Sequence, residues 1–65
     1  MKINSSKLEL LTAMQGLNFR KLAEKSGVSR QSISTAKTRG TCNPLTAIKL
    51  ANALGVEVEE LSDNN

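Results

Sequence analysis

Hydrophobic residues recur at helical spacing along most of this chain, and short polar or glycine-containing segments separate the runs. The sequence shows no alternating strand pattern and no internal repeat. The pattern predicts five helices, namely a first from about Ser6 to before Gly16, a second over residues 19–26, a third from Arg30 to about Thr38, a fourth from Pro44 to before Gly55, and a short fifth around residues 58–61. The chain is therefore predicted to be all-α.

The start of the first helix has two possible caps. Ser6 and Glu9 have the spacing of a capping box, in which each side chain binds the backbone N–H of the other. In the alternative, Asn4 is the cap and Ile3 packs onto Leu8 as a hydrophobic staple. The later α-helices have one candidate cap each, and these are Asn18, Ser29 and Asn43.

One side of each predicted helix carries the residues expected in the core. These residues are Leu8, Leu11, Met14, Leu17, Leu22, Ala23, Val28, Ile33, Ala36, Ile48, Leu50, Ala51, Leu54 and Val56. A chain of 65 residues must bury nearly all of its apolar side chains, because small proteins bury a smaller share of their surface. We expect a single domain over residues 1–65, with a polar tail from about residue 62.

A tight corner joins the second and third helices. Ala23 is small where two helices must cross closely, and Gly27 can adopt the positive φ that such a corner needs. Ser29 can then cap a polar helix that starts at Arg30. This layout is typical of a helix-turn-helix whose second helix enters a DNA groove.

Composition excludes several kinds of site. The sequence contains one cysteine and no histidine, which argues against a disulfide and against zinc-finger chemistry. No apolar run approaches a membrane span and no signal peptide opens the chain, so we expect a cytoplasmic protein with no membrane partner and no cofactor. Phe19 is the one aromatic residue, which argues against stacking on unpaired bases.

Charge is segregated along the chain. Residues 1–44 contain eight Lys or Arg and two acidic residues, for a net charge of +6. Residues 45–65 contain Lys49 and four acidic residues, for a net charge of −3. The basic charge therefore surrounds the predicted corner, which favours a polyanionic partner.

The third helix has a polar face suited to base edges. At about 100° per residue, Gln31, Thr35 and Thr38 point outward when Ile33 and Ala36 point inward. Gln pairs bidentately with adenine and Arg with guanine in the major groove. The predicted base contacts are Arg30, Gln31, Ser34 and Thr35.

The start of the second helix is a predicted phosphate site. The backbone N–H groups of residues 19–21 are free of intrahelical partners there, and Arg20 and Lys21 add full charges. The predicted phosphate contacts are Asn18, Phe19, Arg20, Lys21, Ser29, Lys37, Thr38 and Arg39.

Catalytic chemistry is not indicated. Cys42 lies in a predicted loop without a base or second thiol nearby in sequence, and the serines have no histidine to activate them. The acidic residues near the last helix, Glu57, Glu59 and Glu60, are interpreted as a solvent-exposed acidic segment and not as a metal site. We therefore expect neither an enzyme nor a small-molecule ligand.

A family resemblance covers the chain from Leu8 to Leu61. Residues 16–34, GLNFRKLAEKSGVSRQSIS, resemble the helix-turn-helix of phage-repressor (Cro/CI, xenobiotic-response-element) domains, and residues 49–56, KLANALGV, match the usual end of the fourth helix of that family. The resemblance implies a compact five-helix, lambda-repressor-like domain that binds double-stranded operator DNA, usually as a dimer. It further implies a stand-alone Cro-like regulator of the kind that phages and integrative elements encode.

The sequence departs from the family pattern in three parts of the chain: at the start of the second helix, at the end of the third helix with the loop after it, and at the start of the fifth helix. Phe19 stands where the family often has Gln, and Lys37 stands where it usually has an acidic residue. One additional residue precedes Gly40, which predicts a longer recognition helix or following loop. Glu57 stands where Ser or Thr commonly caps the fifth helix.

Two alternative functions remain open. A protein-interaction module, such as an antitoxin or antirepressor, is favoured by Leu10, which lies off the core side of the first helix, and by the acidic C-terminal end. A recombination-directionality or architectural DNA-binding factor would use the same binding chemistry with a different outcome.

Overall fold

The helices of the protein lie close to their predicted positions. The structure is a computed structural model that describes residues 1–63. Its four α-helices are α1 (Ser5–Met14), α2 (Phe19–Ser26), α3 (Arg30–Arg39) and α4 (Pro44–Leu54). Helix α2 packs on both α3 and α4, and α1 packs on α3. The protein is therefore all-α, as predicted.

The predicted fifth α-helix is wrong in type, because Val58–Glu60 forms one turn of 3₁₀ helix. Its hydrogen bonds join residues three apart, such as that from the Leu61 N–H to the Val58 carbonyl oxygen (3.0 Å). Glu57 precedes the turn without a side-chain capping bond, and the Asp63 N–H bonds the Lys2 carbonyl oxygen (3.1 Å). The chain therefore leaves the helical path after a single turn.

The start of α1 follows the second of the two predicted alternatives. The Asn4 side chain accepts a hydrogen bond from the Lys7 N–H (3.0 Å), and Ile3 is buried with Leu8 in the core. The Ile3 N–H in turn bonds the Gly40 carbonyl oxygen (2.7 Å). Because Asn4 is the cap, the helix begins at Ser5, and the capping box of Ser6 with Glu9 does not form.

Most of the predicted core is confirmed, with two corrections. The largest fully buried side chains are Leu8, Leu22, Ile33, Leu50, Leu54 and Leu61. Met14 was predicted in the core but is 71% exposed, because α1 ends there and Leu17 returns to the core instead. Ile48 was predicted on the buried side of α4 but is 45% exposed, since Ala47, Leu50, Ala51 and Leu54 occupy the buried side of this helix.

The N-terminal residues lie between two later segments of the chain. Lys2 forms an isolated antiparallel bridge with Thr41, and Ile3 forms another with Ser62. Over residues 1–63 these bridges do not extend into a strand. Of the predicted polar tail, Ser62 and Asp63 are half-buried, while Asn64 and Asn65 lie outside the described residues.

Candidate nucleic-acid interface

The corner between α2 and α3 has the predicted backbone geometry. Gly27 has φ of 76° and ψ of 9°, and its N–H donates to the Ala23 carbonyl oxygen (3.0 Å). A Cβ at this position would meet no atom within 4 Å, so lack of space is not what favours glycine here. Glycine is favoured because it adopts the left-handed conformation without a steric penalty. Val28 is buried directly after the corner, which turns the chain back into the core.

Helix α3 is anchored by a small buried face. Ile33 and Ala36 are fully buried, as predicted. The remaining residues of α3 are exposed, and they are Arg30, Gln31, Ser32, Ser34, Thr35, Lys37, Thr38 and Arg39. The exposed face therefore contains hydroxyl, amide and cationic groups and no carboxylate.

Two shallow depressions border the outward side of α3. The first, of about 240 Å³, is lined by Gln31, Ser34, Thr35, Thr38 and Arg39. The second, also about 240 Å³, lies between α3 and α4 and is lined by residues that include Gln31, Thr35, Thr41 and Thr46. Gln31 and Thr35 line both depressions, so they form the ridge between them. The structure thus brings together most of the side chains predicted to face a base edge.

Thr41 and Thr46 were not predicted as site residues. Thr41 lies in the loop after α3, where side-chain direction has no periodic sequence signal. Thr46 lies in the first turn of α4, which Asn43 caps by accepting a hydrogen bond from the Leu45 N–H (2.9 Å). Asn43 and Pro44 predicted the start of α4, but they carried no information about its proximity to α3.

Ser29 at the start of α3 already has partners within the protein. Its hydroxyl accepts from the Ser32 N–H (3.1 Å) and donates to the Ser32 hydroxyl (2.9 Å). The predicted cap is therefore confirmed.

The start of α2 requires one correction. The side chain of Asn18 accepts a hydrogen bond from the Lys21 N–H (2.8 Å), so this backbone group is not free, contrary to the prediction. The side chains of Arg20 and Lys21 are both exposed beside it. The positive charge predicted at this helix end is therefore present, with Asn18 occupying part of the backbone donor site.

Lys37 is separated from the outward face of α3. Its ammonium lies 2.8 Å from the Glu9 carboxylate and 5.5 Å from the centre of the Phe19 ring. The ion pair of Lys37 with Glu9 joins α3 to α1, and the contact of Lys37 with Phe19 joins α3 to α2. This arrangement was not foreseen, because it depends on how three helices meet.

A family model described as helix-turn-helix matches residues 8–61. The chain belongs to the Cro/CI-type helix-turn-helix family. It is accordingly a DNA-binding transcription regulator of that type. A comparison with curated proteins gives no match.

The family assignment agrees with the geometry of α2 and α3, in which an exposed polar helix follows a tight corner. The family is a DNA-binding one and typically non-enzymatic. Among residues 1–63, no group of three or more His, Cys, Asp or Glu side chains could hold a metal ion. No helix in the same part of the chain is long and apolar enough to cross a membrane.

Cys42 is a half-buried thiol in this helix-turn-helix protein. Burial raises the pKa of the Cys42 thiol above its ordinary value, and a nearby positive charge and a backbone hydrogen bond from Ala47 oppose this effect. A raised pKa keeps the thiol protonated at neutral pH, which makes it a poor nucleophile. The loop position predicted for Cys42 is confirmed.

Proposed function

We propose that this protein is a sequence-specific, Cro-like repressor that places α3 in the major groove of a duplex operator. The proposal is carried mainly by the exposed ridge of Gln31 and Thr35, which presents an amide and a hydroxyl group without a neighbouring carboxylate. The amide of Gln31 can pair with the N6 and N7 positions of adenine. Arg30 and Ser34 flank this ridge as further base contacts.

Phosphate contacts would fix the register of α3 on the duplex. Arg20 and Lys21 lie at the start of α2, where exposed cations and the helix dipole favour an anion. Asn18 and the backbone N–H of Phe19 complete the proposed set at the start of α2, and Ser29 adds a contact after the corner, at the start of α3. Thr38 and Arg39 supply phosphate contacts at the other end of α3.

Dimerisation would let the protein read a palindromic site. Leu45 and Ile48 lie one turn apart on α4 and are 59% and 45% exposed, which supports a second copy packing on this side of the helix. Half-sites would then be separated by about 34 Å, one turn of the duplex. The family resemblance supports an origin in a phage or another mobile element.

Binding to random duplexes and to duplexes enriched by selection, measured at two salt concentrations, tests this proposal. We expect tighter binding to the enriched sequence, and binding that weakens steeply as salt rises because phosphate contacts release counterions. Equal affinity for all sequences would refute the specific regulator. Absence of salt-sensitive binding would refute a direct role on DNA.

A protein-interaction function is the second candidate, because α1 also exposes apolar side chains. Leu10 and Met14, one turn apart, are 58% and 71% exposed. An antitoxin or antirepressor would use such a face to hold another protein. A stoichiometric protein partner that stays bound to the Arg30→Ala and Gln31→Ala variants would favour this function over operator binding.

A further inference from the structure

Three contacts from two other helices converge on residue 37 of the recognition helix. The ammonium of Lys37 lies 2.8 Å from the Glu9 carboxylate on α1 and 5.5 Å from the centre of the Phe19 ring on α2. The hydroxyl of Ser5, in the first turn of α1, donates to the Lys37 carbonyl oxygen (2.7 Å). Both the side chain and the backbone of this residue are therefore held by the rest of the protein.

The backbone contact satisfies a group that the helix itself leaves free. The last four carbonyl groups of an α-helix have no intrahelical donor, and that of Lys37 is one of them because α3 ends at Arg39. Ser5 supplies the missing donor, and the Ile3 N–H supplies another to the Gly40 carbonyl oxygen (2.7 Å). The start of α1 thus holds the end of α3.

The side-chain contact directs the cation away from the proposed base-reading ridge. Lys37 lies about 120° around the helix axis from Gln31 and about 160° from Thr35, the two residues of the ridge, and about 20° from Arg30, at 100° per residue. The Lys37 side chain is 42% exposed, and its ammonium already has an anionic and an aromatic partner. A phosphate would therefore compete with the Glu9 carboxylate for this ammonium.

The two positions at which α2 and α3 depart from the family pattern contact each other. Phe19 is the first residue of α2 and Lys37 lies in the last turn of α3. A cation over an aromatic ring is attracted by the negative charge of the ring face. Together with Glu9, this contact couples the end of the recognition helix to the start of α2.

We propose that Lys37 is a positioning residue, which sets the orientation of α3 through Glu9 and Phe19, and that it does not contact phosphate. This inference rests on the proposed function, since it concerns how α3 is presented to an operator. It replaces the expectation from sequence that Lys37 binds the DNA backbone.

The Lys37→Met variant separates the two roles by the salt dependence of binding. Methionine keeps the apolar length of the side chain and removes the charge. We expect the slope of log K against log salt to stay unchanged, because an intramolecular cation releases no counterions from DNA. The ratio of affinities for the enriched and random duplexes should fall about two- to fivefold, the scale of a partly exposed ion pair.

Arg20→Met is the matched control, since it removes the charge of a proposed phosphate contact. This variant should make the salt slope shallower by about 0.9 and leave the ratio of affinities unchanged. The same result for Lys37→Met would overturn the positioning role. A wild-type protein without salt-sensitive binding would instead overturn the proposed function, so the two failures are distinguishable.

A charge-neutral exchange gives an independent test. Lys37→Glu alone should weaken specific binding, because two carboxylates would then face each other across α1 and α3. Adding Glu9→Lys restores an opposite pair, and we expect the affinity ratio to rise from the Lys37→Glu value to about that of the wild type, above the ratio of Lys37→Met. Failure of the double variant to recover, with an unchanged circular dichroism spectrum and thermal midpoint, would refute the inference.

Discussion

Replacement of Gly27 by alanine is expected to destabilise the corner through backbone conformation alone. Gly27 has φ of 76°, and a Cβ added there would meet no atom within 4 Å. Residues with a Cβ pay about 1–2 kcal/mol in this left-handed region. Alanine recovers roughly 0.4–1 kcal/mol because it restricts the unfolded chain. The net loss in the free energy of unfolding is therefore about 1 kcal/mol, the difference between these two effects.

Thermal and urea unfolding followed by circular dichroism would measure this loss. About 1 kcal/mol corresponds to a decrease of about 4–8 °C in Tm for a domain of this size. Gly27→Asn should cost less than Gly27→Ala, because asparagine tolerates the left-handed region. Gly55→Ala is a matched control at the end of α4, with φ of 71° and open space, and it should cost about the same as Gly27→Ala.

The reasoning would be refuted by either of two results. If asparagine at position 27 destabilises as much as alanine, backbone conformation is not the cause. If alanine lowers the free energy of unfolding by more than about 3 kcal/mol, the loss exceeds the conformational penalty. An unfavourable contact would then have to contribute, which contradicts the open space around Gly27.

Four further predictions concern binding, assembly and pH. Gln31→Ala should cost about 1–3 kcal/mol on the preferred duplex and relax the preference at one base pair, and fluorescence anisotropy on single-base variants would measure it. Arg20→Ala should weaken binding by the same factor on every duplex, so a loss confined to one sequence would contradict a phosphate contact. Ile48→Glu should convert two-protomer complexes on a palindromic duplex to single occupancy in sedimentation experiments, whereas Leu10→Glu should not; equal effects would exclude α4 as the dimer face. In the folded protein the pKa of the Cys42 thiol is raised. The contribution of this thiol to the free energy of unfolding is therefore complete below the ordinary thiol pKa and is lost as pH rises through the raised value. Urea unfolding across the alkaline range should show this decline, and Cys42→Ala should reduce it.

Much of the helical architecture could be predicted from local signals. Asn18, Ser29 and Asn43 are short polar residues at helix starts, and each accepts a backbone hydrogen bond as a cap. Gly27 and Gly55 adopt the left-handed conformation at helix ends, where glycine has no steric penalty. These effects act within a few residues, so the sequence alone contains them.

Side-chain placement was less predictable where two helix faces compete. Ile48 is as hydrophobic as Leu50, yet Leu50 is fully buried and Ile48 is not. The direction in which α4 crosses α2 determines which of the two is enclosed, and that direction depends on contacts between residues far apart in the chain. Met14 is a similar case, because the turn at Gly16 removes it from the core.

The recognition helix shows where local information ends. The inward direction of Ile33 and Ala36 follows from their three-residue spacing, and the same periodicity is sufficient to predict that Gln31 and Thr35 point outward. The ion pair of Lys37 with Glu9 could not be foreseen, because 28 positions separate the two residues and they lie on different helices. The periodicity within one helix does not indicate which residue of another helix lies opposite. Periodicity fixes the angle of a side chain about its own helix, whereas the packing of α1 against α3 determines which charge it meets.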